Sequence, residues 1–566
     1  MIKQLRKRLL QAIEAFTLTE KIIFYFFVFV FASSSLFLLT KVNDNFLVEV
    51  PTYGGEIKEG VLGYPRYINP LLSITDSGRD LSALIYSGLL KANPDGSLTP
   101  DLAKSYSVSE DGLTYTFELK DNIFFHDNYP VTAYDVEFTI KRILDPALKS
   151  PKAPNFEGVE THIISDKKIE FILKHSYAPF IENMTLGILP EHLWKDIDTE
   201  GFLFSQLNFE PIGSGPYRVK DIKRNESGLP IYYHLVPFEK NSLGVAYIND
   251  YFVYFFTNEE KLLAAYQDGI INSVNSISPE NAVRLNNSGT IIRSALPRIF
   301  GVFFNQNEAP LFTNKEVRLA LNEAIDKDRI IQEVLGGYGT KAVSALPNYL
   351  SEIEDSTKTA EERITSAKAI LTKAGWTPNS EGIMTKTVKK ETTTLSFSIS
   401  TGNAPELKKT ALLVKEMWEK IGAKVDVKFF DLADLQQNVI RPRKYDAILF
   451  GEVVGRDLDL FAFWHSSERN DPGLNMAMYT NVKVDKLLSQ ARAEEDREKR
   501  ITLLKSIEKE IDNDVPAVFL YSPDFIYVVP KNLRGISITG ITSATERFLE
   551  VEKWYMNTEK VWTFFK

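Results

Sequence analysis

Histidine is the side chain best suited to proton transfer or metal binding near neutral pH, and the chain has six: His126, His162, His175, His192, His234 and His465. No two of them stand at the spacing of a metal pair on one helix. Imidazoles scattered in this way serve turns and surfaces. No Gly-x-Ser-x-Gly elbow and no His-Glu-x-x-His helix occurs, so serine-hydrolase and zinc-hydrolase chemistry lack their frameworks. The run Gly336-Gly337-Tyr338-Gly339 follows a helical segment rather than a strand and has no lysine at the phosphate-binding offset, which makes it a helix stop. Cysteine is absent. Disulfides, thiolate metal sites, cysteine nucleophiles and a lipid-modified N-terminal cysteine are excluded with it. The expectation is a protein without catalytic residues, metal or cofactor, whose business is binding.

The elements that must position a binding site change character along the chain. At 566 residues the chain is too long for one core, since cores stop growing near roughly 250 to 300 residues. Two or more domains are expected. Hydrophobic residues make up 44% and charged residues 25%, as in an ordinary globular protein, and the formal charge of −9 repels polyanions, so nucleic acid is not a partner.

From residue 60 to 144 strands and turns prevail. Tyr115, Phe117 and Leu119 alternate with Thr114, Thr116 and Glu118, the period of a half-buried strand, and Asn93-Pro94-Asp95-Gly96 and Glu110-Asp111-Gly112 mark turns. Thr132 with Asp135 opens a helix that points Val136 and Ile140 inward. From residue 305 to 428 helices alternate with strands, which predicts a separate α/β lobe. Thr313 with Glu316 and Thr359 with Glu362 read as capping boxes. A strand through Leu395, Phe397 and Ile399, a helix through Leu407, Ala411, Val414 and Trp418, and a strand through Val425, Val427 and Phe429 form a βαβ unit, so the two strands run parallel. A further strand is predicted over residues 445–451.

At the N-terminus, residues 22–40 are nineteen positions without a charge. At 1.5 Å per residue they span roughly 28 Å, one hydrocarbon core. Lys3, Arg6, Lys7, Arg8 and Lys21 precede them against Glu14 and Glu20, a basic excess that keeps this end in the cytoplasm and puts the folded part outside. The expected order is a basic leader over residues 1–21, a transmembrane anchor over 22–40 and a stalk over 41–59. The alternative is a signal peptide cut among the small residues 32–35.

Six ordered blocks carry a resemblance. They are YPRYINPLL (residues 64–72), LIYSGLLKANPDGSLTPDLAKSYSVSEDGLTYTFELKDNIFFHDNYPVTAYDVEFTIKRI (84–143), PIGSGPYRVKD (211–221), FNQNEAPLFTNKEVRLALNEAIDKDRII (304–331), AKAILTKAGW (367–376) and VPAVFLYSP (515–523). Together they resemble the family-5 solute-binding proteins of ABC importers, the dipeptide- and oligopeptide-binding type. In PIGSGPY the glycines are read as permitting positive φ in a tight turn.

The resemblance implies an α/β, bilobal periplasmic-binding-protein-like fold with an enlarged first lobe. Residues 60–299 with 515–566 would form lobe I and residues 300–514 lobe II, hinged around the ligand. It implies a monomeric, non-enzymatic receptor that hands a peptide or other small molecule to an ABC permease with ATPase subunits, itself held to the cell membrane by its N-terminal helix. The alternative function is an anchored ligand sensor signalling to a partner protein.

For the site, the resemblance points to the loop at residues 451–467, where relatives place an aspartate that receives a peptide ammonium. Asp457 is the first choice and Asp459 the second; both follow a predicted strand end, where α/β sheets place ligands. The loop departs from the family pattern: Arg456 stands where an aspartate is common, and Leu460 replaces a proline. Arg456 is therefore read as a partner of one aspartate or of a ligand carboxylate. Trp464, beside Phe463, offers an aromatic face to a ligand or to the core. Tyr86 lies where relatives line the cleft from the first lobe, and Ser87 replaces their common acidic residue.

Overall fold

A computed structural model describes residues 15–285, 289–456 and 458–565, with isolated positions 4 and 13. The chain divides into two compact units, residues 1–54 with 555–566, and residues 55–554.

In the first unit, Thr17 and Glu20 make a capping box: the Thr17 N–H and hydroxyl both donate to the Glu20 carboxylate at 2.8 Å. The helix they open runs Leu18–Phe46. Its segment Leu18–Val42 is long and apolar enough to cross a membrane, and none of its most apolar stretch is buried in the protein. The chain then enters the strand Leu47–Thr52, which pairs antiparallel with Asn557–Trp562, from Leu47 opposite Trp562 to Thr52 opposite Asn557. The Phe46 and Trp562 rings stack at 6.4 Å, and the Thr563 hydroxyl donates to the Phe46 carbonyl at 2.7 Å. The expected stalk over residues 41–59 is thus corrected to a helix end and a paired strand, and residues 555–566 belong to this unit rather than to lobe I. Their strand partner lies hundreds of positions away, and no local pattern announces such a pairing.

The second unit is built on one long sheet. Along its main path the strands are Lys424–Phe430, Ser396–Gly402, Ala447–Val453, Arg298–Phe304, Ala517–Val529, Ser273–Asn275, Glu56–Leu62, Asp250–Phe256, Pro230–Pro237 and Tyr217–Arg224, and Thr290–Ala295 and Gly339–Lys341 also pair with Ala517–Val529. The expected βαβ unit is present, with Ser396–Gly402 and Lys424–Phe430 parallel and the helix Pro405–Lys420 between them. The second lobe's strands are covered on both faces. Val302, Phe304, Ala447 and Leu449 enter one core cluster, while Ile299, Phe303 and Ile448 enter another. Burial on both sides is why these strands read as continuous apolar runs.

The thirteen-residue strand Ala517–Val529 serves both lobes. Tyr521 pairs with Phe300 in the second lobe, and Asp524 pairs with Ala295 in the first. The crossing therefore falls inside this strand, between Pro523, which pairs with Gly339 of the second lobe, and Asp524, rather than ahead of it at residues 514 and 515. A separate meander, Ala103–Val108, Thr114–Leu119, Lys168–Ile172 and Glu160–Ser165, enlarges the first lobe.

Local signals fare unevenly. Thr132 and Thr359 cap helices as their boxes predict, and Gly336, at φ 56°, stops the helix Lys327–Leu335. Thr313 does not cap: it lies in a short 3-10 turn, and Asn314 precedes the helix Lys315–Glu323. Two adjacent polar residues compete there, and Pro310 starts the 3-10 turn that takes up the first of them.

Candidate ligand-binding cleft

The cleft is built outward from the helix Asp76–Ile85. The Thr75 hydroxyl caps it, accepting from Gly78 N at 3.2 Å, and it ends where Tyr86 turns extended. The segment containing Gly213 and Gly215 packs directly on that end, with Gly215 N donating to the Ile85 carbonyl at 2.8 Å. A Cβ on Gly215 would lie 2.6 Å from the Ile85 carbonyl carbon, and one on Gly213 would overlap the Ile85 oxygen. Close approach, not positive φ, is what these two glycines provide; neither has a left-handed φ. The turn is braced by His126, whose N–H donates to the Gly213 carbonyl at 2.8 Å and whose ring nitrogens face Gly213 N and the Gly215 carbonyl. Burial holds the imidazole down at about 4, so it is neutral and structural.

Tyr86, 5% exposed, thereby meets a cavity of about 580 Å³, within the roughly 300–1,000 Å³ of small-ligand pockets. Most of the wall is first-lobe. Tyr86, Ser87, Asp101, Lys152 and Glu182 line it, and the segment Ala544–Lys553 adds Glu546 and Glu552. The second lobe contributes Gly455 and Arg456.

Arg456 spans the cleft. Its guanidinium pairs with Glu546 at 2.6 Å, donates to the Asn93 carbonyl at 3.0 Å and lies 3.9 Å from Glu182, all in the first lobe. On the first-lobe wall Lys91 pairs with Glu552 at 2.6 Å. Burial pushes the Asp101 carboxyl up, opposed by hydrogen bonds from Ser242 and Ser87. The segment carrying Glu546 and Glu552 is pinned from behind by Arg547, which is 1% exposed and binds Asp80 at 2.5 Å and Glu59 at 2.8 Å.

The cleft lies between two lobes that share the strand Ala517–Val529. The family described as "Bacterial extracellular solute-binding proteins, family 5 Middle" matches residues 97–472, 376 of the chain's 566. The chain belongs to that family.

Among relatives of this family-5 protein, the oligopeptide-binding protein AppA of Bacillus subtilis is 28% identical over 519 residues, spanning 89% of this chain and 92% of its own. The structure of AppA in complex with a nonapeptide superposes with a TM-score of 0.67 at 26% identity, over 90% of this chain and 100% of that one. NikZ of Campylobacter jejuni in complex with Ni(L-His) superposes with a TM-score of 0.69 at 26% identity, over 88% of this chain and 99% of that one. Among the described residues no group of three or more His, Asp or Glu is placed to hold a metal ion.

The residues expected from sequence divide between the cleft and the second lobe's interior. Tyr86 and Arg456 line the cleft, as does Ser87. Among the described residues, Arg456 pairs with glutamates across the cleft. Asp457 lies outside the described residues. Asp459 does not line the cleft: Arg492 holds it at 2.6 Å, and it accepts from Phe461 N at 3.0 Å. Arg492 in turn lies 3.9 Å over the Phe461 ring. A nearby arginine on the helix Val482–Ala493 thus outcompetes a cleft role for this carboxylate.

Trp464 is fully buried, packed among Phe303, Phe519 and Tyr479 at about 6 Å between ring centres. It is core, not ligand face, because four residues of helix, Phe461–Trp464, turn it under the sheet. Phe463 is half-buried against the same core. Sequence reasoning missed Glu182, Glu546 and Lys152. Glu546 sits in a 3-10 segment and Lys152 in the proline-flanked turn Ser150-Pro151-Lys152, neither of which has a periodic signal.

Proposed function

We propose that this family-5 protein is the extracytoplasmic receptor of an ABC importer. It encloses a short oligopeptide between its lobes, releases it unchanged to a permease driven by ATPase subunits, and works as a monomer held to the membrane by its uncleaved N-terminal helix. The observation that carries the reading is the cavity of about 580 Å³ whose wall comes from one lobe and whose closing contact, Arg456 to Glu546, comes from the other. Hinge closure of this kind buries a ligand and excludes water. A peptide is supported by AppA, similar along nearly the whole chain and with a structure in complex with a nonapeptide. An uncleaved anchor is supported by a helix that runs unbroken through the small residues 32–35 into a strand paired with Asn557–Trp562.

Protein purified from membranes in mild detergent tests both parts. Intact mass is expected to include the segment before residue 32; a start at residues 33–36 would make the segment a signal peptide. Native mass spectrometry is expected to find bound peptide, and incubation to return it intact. Cleaved peptide, after contaminating proteases are removed, overturns the receptor reading.

A further inference from the structure

The first unit holds three aromatic side chains in the open. Phe46 is 47% exposed, Trp562 46% and Phe564 84%. They are fixed in place together: the Phe46 and Trp562 rings stack with their planes 18° apart, and Thr563, bonded to the Phe46 carbonyl, starts the 3-10 turn Thr563–Phe565 that carries Phe564. Large rings left in water are unfavourable. A cluster of them marks a surface that meets something apolar.

Position and register say what that is. The apolar span ends at Val42, and Phe46 stands four residues further along the same helix, about 6 Å of rise. The headgroup layer on each side of a bilayer is roughly 5–7 Å deep, so the stacked pair stands at its level. Tryptophan concentrates there, because its ring is apolar and its N–H is not. Along the ribbon, Leu47 opposite Trp562 and Val48 opposite Val561 put the apolar pairs at the helix end. Glu49 opposite Lys560 comes next, followed by Val50 opposite Glu559, Pro51 opposite Thr558 and Thr52 opposite Asn557. Glu49, Glu559 and Lys560 are exposed. At about 3.3 Å per residue the ribbon turns from apolar to charged over roughly 7 Å, which is the depth of the headgroup layer itself.

We propose that the aromatic end of the ribbon, Phe46, Trp562 and Phe564, seats in the headgroup layer of the membrane that the helix Leu18–Phe46 crosses, with the charged end of the ribbon in water. The seat rests on the reading of that helix as an uncleaved anchor and gives the anchor a second lipid contact, made by the strand Asn557–Trp562 and the turn after it. A helix alone leaves its exposed end free to turn and tilt. A paired strand resting on the lipid surface restrains both.

The chain's own fluorescence tests the seat. Of the six tryptophans, Trp194, Trp376, Trp418, Trp464 and Trp554 are at most 1% exposed, so a contact quencher reads Trp562. The full chain is reconstituted into vesicles of equal parts phosphatidylcholine and phosphatidylglycerol, with bromine placed either high on the acyl chains or at their ends, and with iodide as the quencher in water. High bromine is expected to remove more emission than deep bromine, iodide to remove little, and Trp562→Phe to abolish the bromine effect. Quenching by iodide without bromine would put Trp562 in water, and quenching by neither would mean that protein covers it; either result overturns the seat, as does bromine quenching that survives Trp562→Phe. The anchor is read separately by a bimane label on Ser34→Cys, in a chain that otherwise has no cysteine. If deep bromine quenches that label while Trp562 stays silent, the anchor stands and the seat falls. If Trp562 is quenched and the label is not, the lipid contact stands and the anchor reading falls. Silence from both overturns both.

Discussion

Glu546 and Arg547 are neighbours in the chain and belong to two opposite kinds of charge cluster. Arg547 turns into the first lobe, where it holds Glu59 and Asp80 with all three side chains at most 3% exposed. Glu546 turns into the cleft, where it meets Arg456 from the other lobe, with the pair 9% and 22% exposed. In the first cluster the partners come from a strand, a helix and a 3-10 segment of one lobe, so nothing in lobe motion parts them. In the second the partners sit on different lobes, so any separation of the lobes would part them. One short segment thus carries a permanent tie on one face and a reversible one on the next. The permanent tie fixes the wall against which the reversible one closes.

The largest effect is expected from cutting the permanent tie. Arg547→Met leaves two carboxylates buried without a cation and should cost about 3–5 kcal/mol of stability, read as a lower melting temperature and denaturant midpoint. A loss under about 1 kcal/mol would mean that the cluster opens to water and the contrast with Arg456 fails.

A buried acid with no ion pair among the described residues sharpens the contrast. Glu452 is 1% exposed, and burial pushes its carboxyl up to about 8, opposed by the Trp464 indole. A carboxyl raised from 4.5 to about 8 on folding binds its proton more tightly in the folded state, so stability falls as pH rises through that window. Glu452→Gln is expected to be near-neutral at pH 5 and stabilising at pH 9, on the order of a few kcal/mol, by thermal melts at the two pH values. Equal effects at both would place the charged form in the fold.

The smallest effect belongs to the reversible tie. Arg456→Gln should cost about 1–2 kcal/mol, between the surface and buried ranges, and should enlarge the radius of gyration of the ligand-free protein in solution scattering. Asp459→Asn, which loosens an ion pair whose two members both belong to the second lobe, should change that radius less. If both variants expand the protein, the loop as a whole, and not Arg456, sets closure.

How much of this the sequence discloses depends on range. Thr132 and Thr359 are legible because a cap and its helix lie within one turn of chain. The parallel pair around the helix Pro405–Lys420 is legible because chirality allows one arrangement. The family is legible from blocks of residues spread along the chain. The site is less so. Tyr86 and Arg456 reach the cleft, but Arg456 finds Glu546 ninety positions away, and Asp459 finds Arg492 thirty-three positions on. Such pairings depend on where helices come to rest, which no spacing rule encodes. Trp464 misleads for the same reason: an aromatic beside a loop is face or core according to a turn that only the packed sheet decides.

The ribbon of Leu47–Thr52 and Asn557–Trp562 also has a place in time. Synthesis runs from the N-terminus, and 504 residues separate the first of these strands from its partner, so it leaves the ribosome long before that partner is made. Pairing them closes a loop that contains the whole binding unit. Loop-closure entropy grows only slowly with length, so the long detour is thermodynamically tolerable, but it fixes the order: the larger unit can be finished and folded while the strand that follows the N-terminal helix is still a bare edge. A chain cut short anywhere downstream keeps that edge exposed, with Leu47, Val48 and Val50 on it, and unpaired apolar strands are what aggregation and quality-control proteases engage. The closed ribbon thereby marks a chain that has been read through to residue 562.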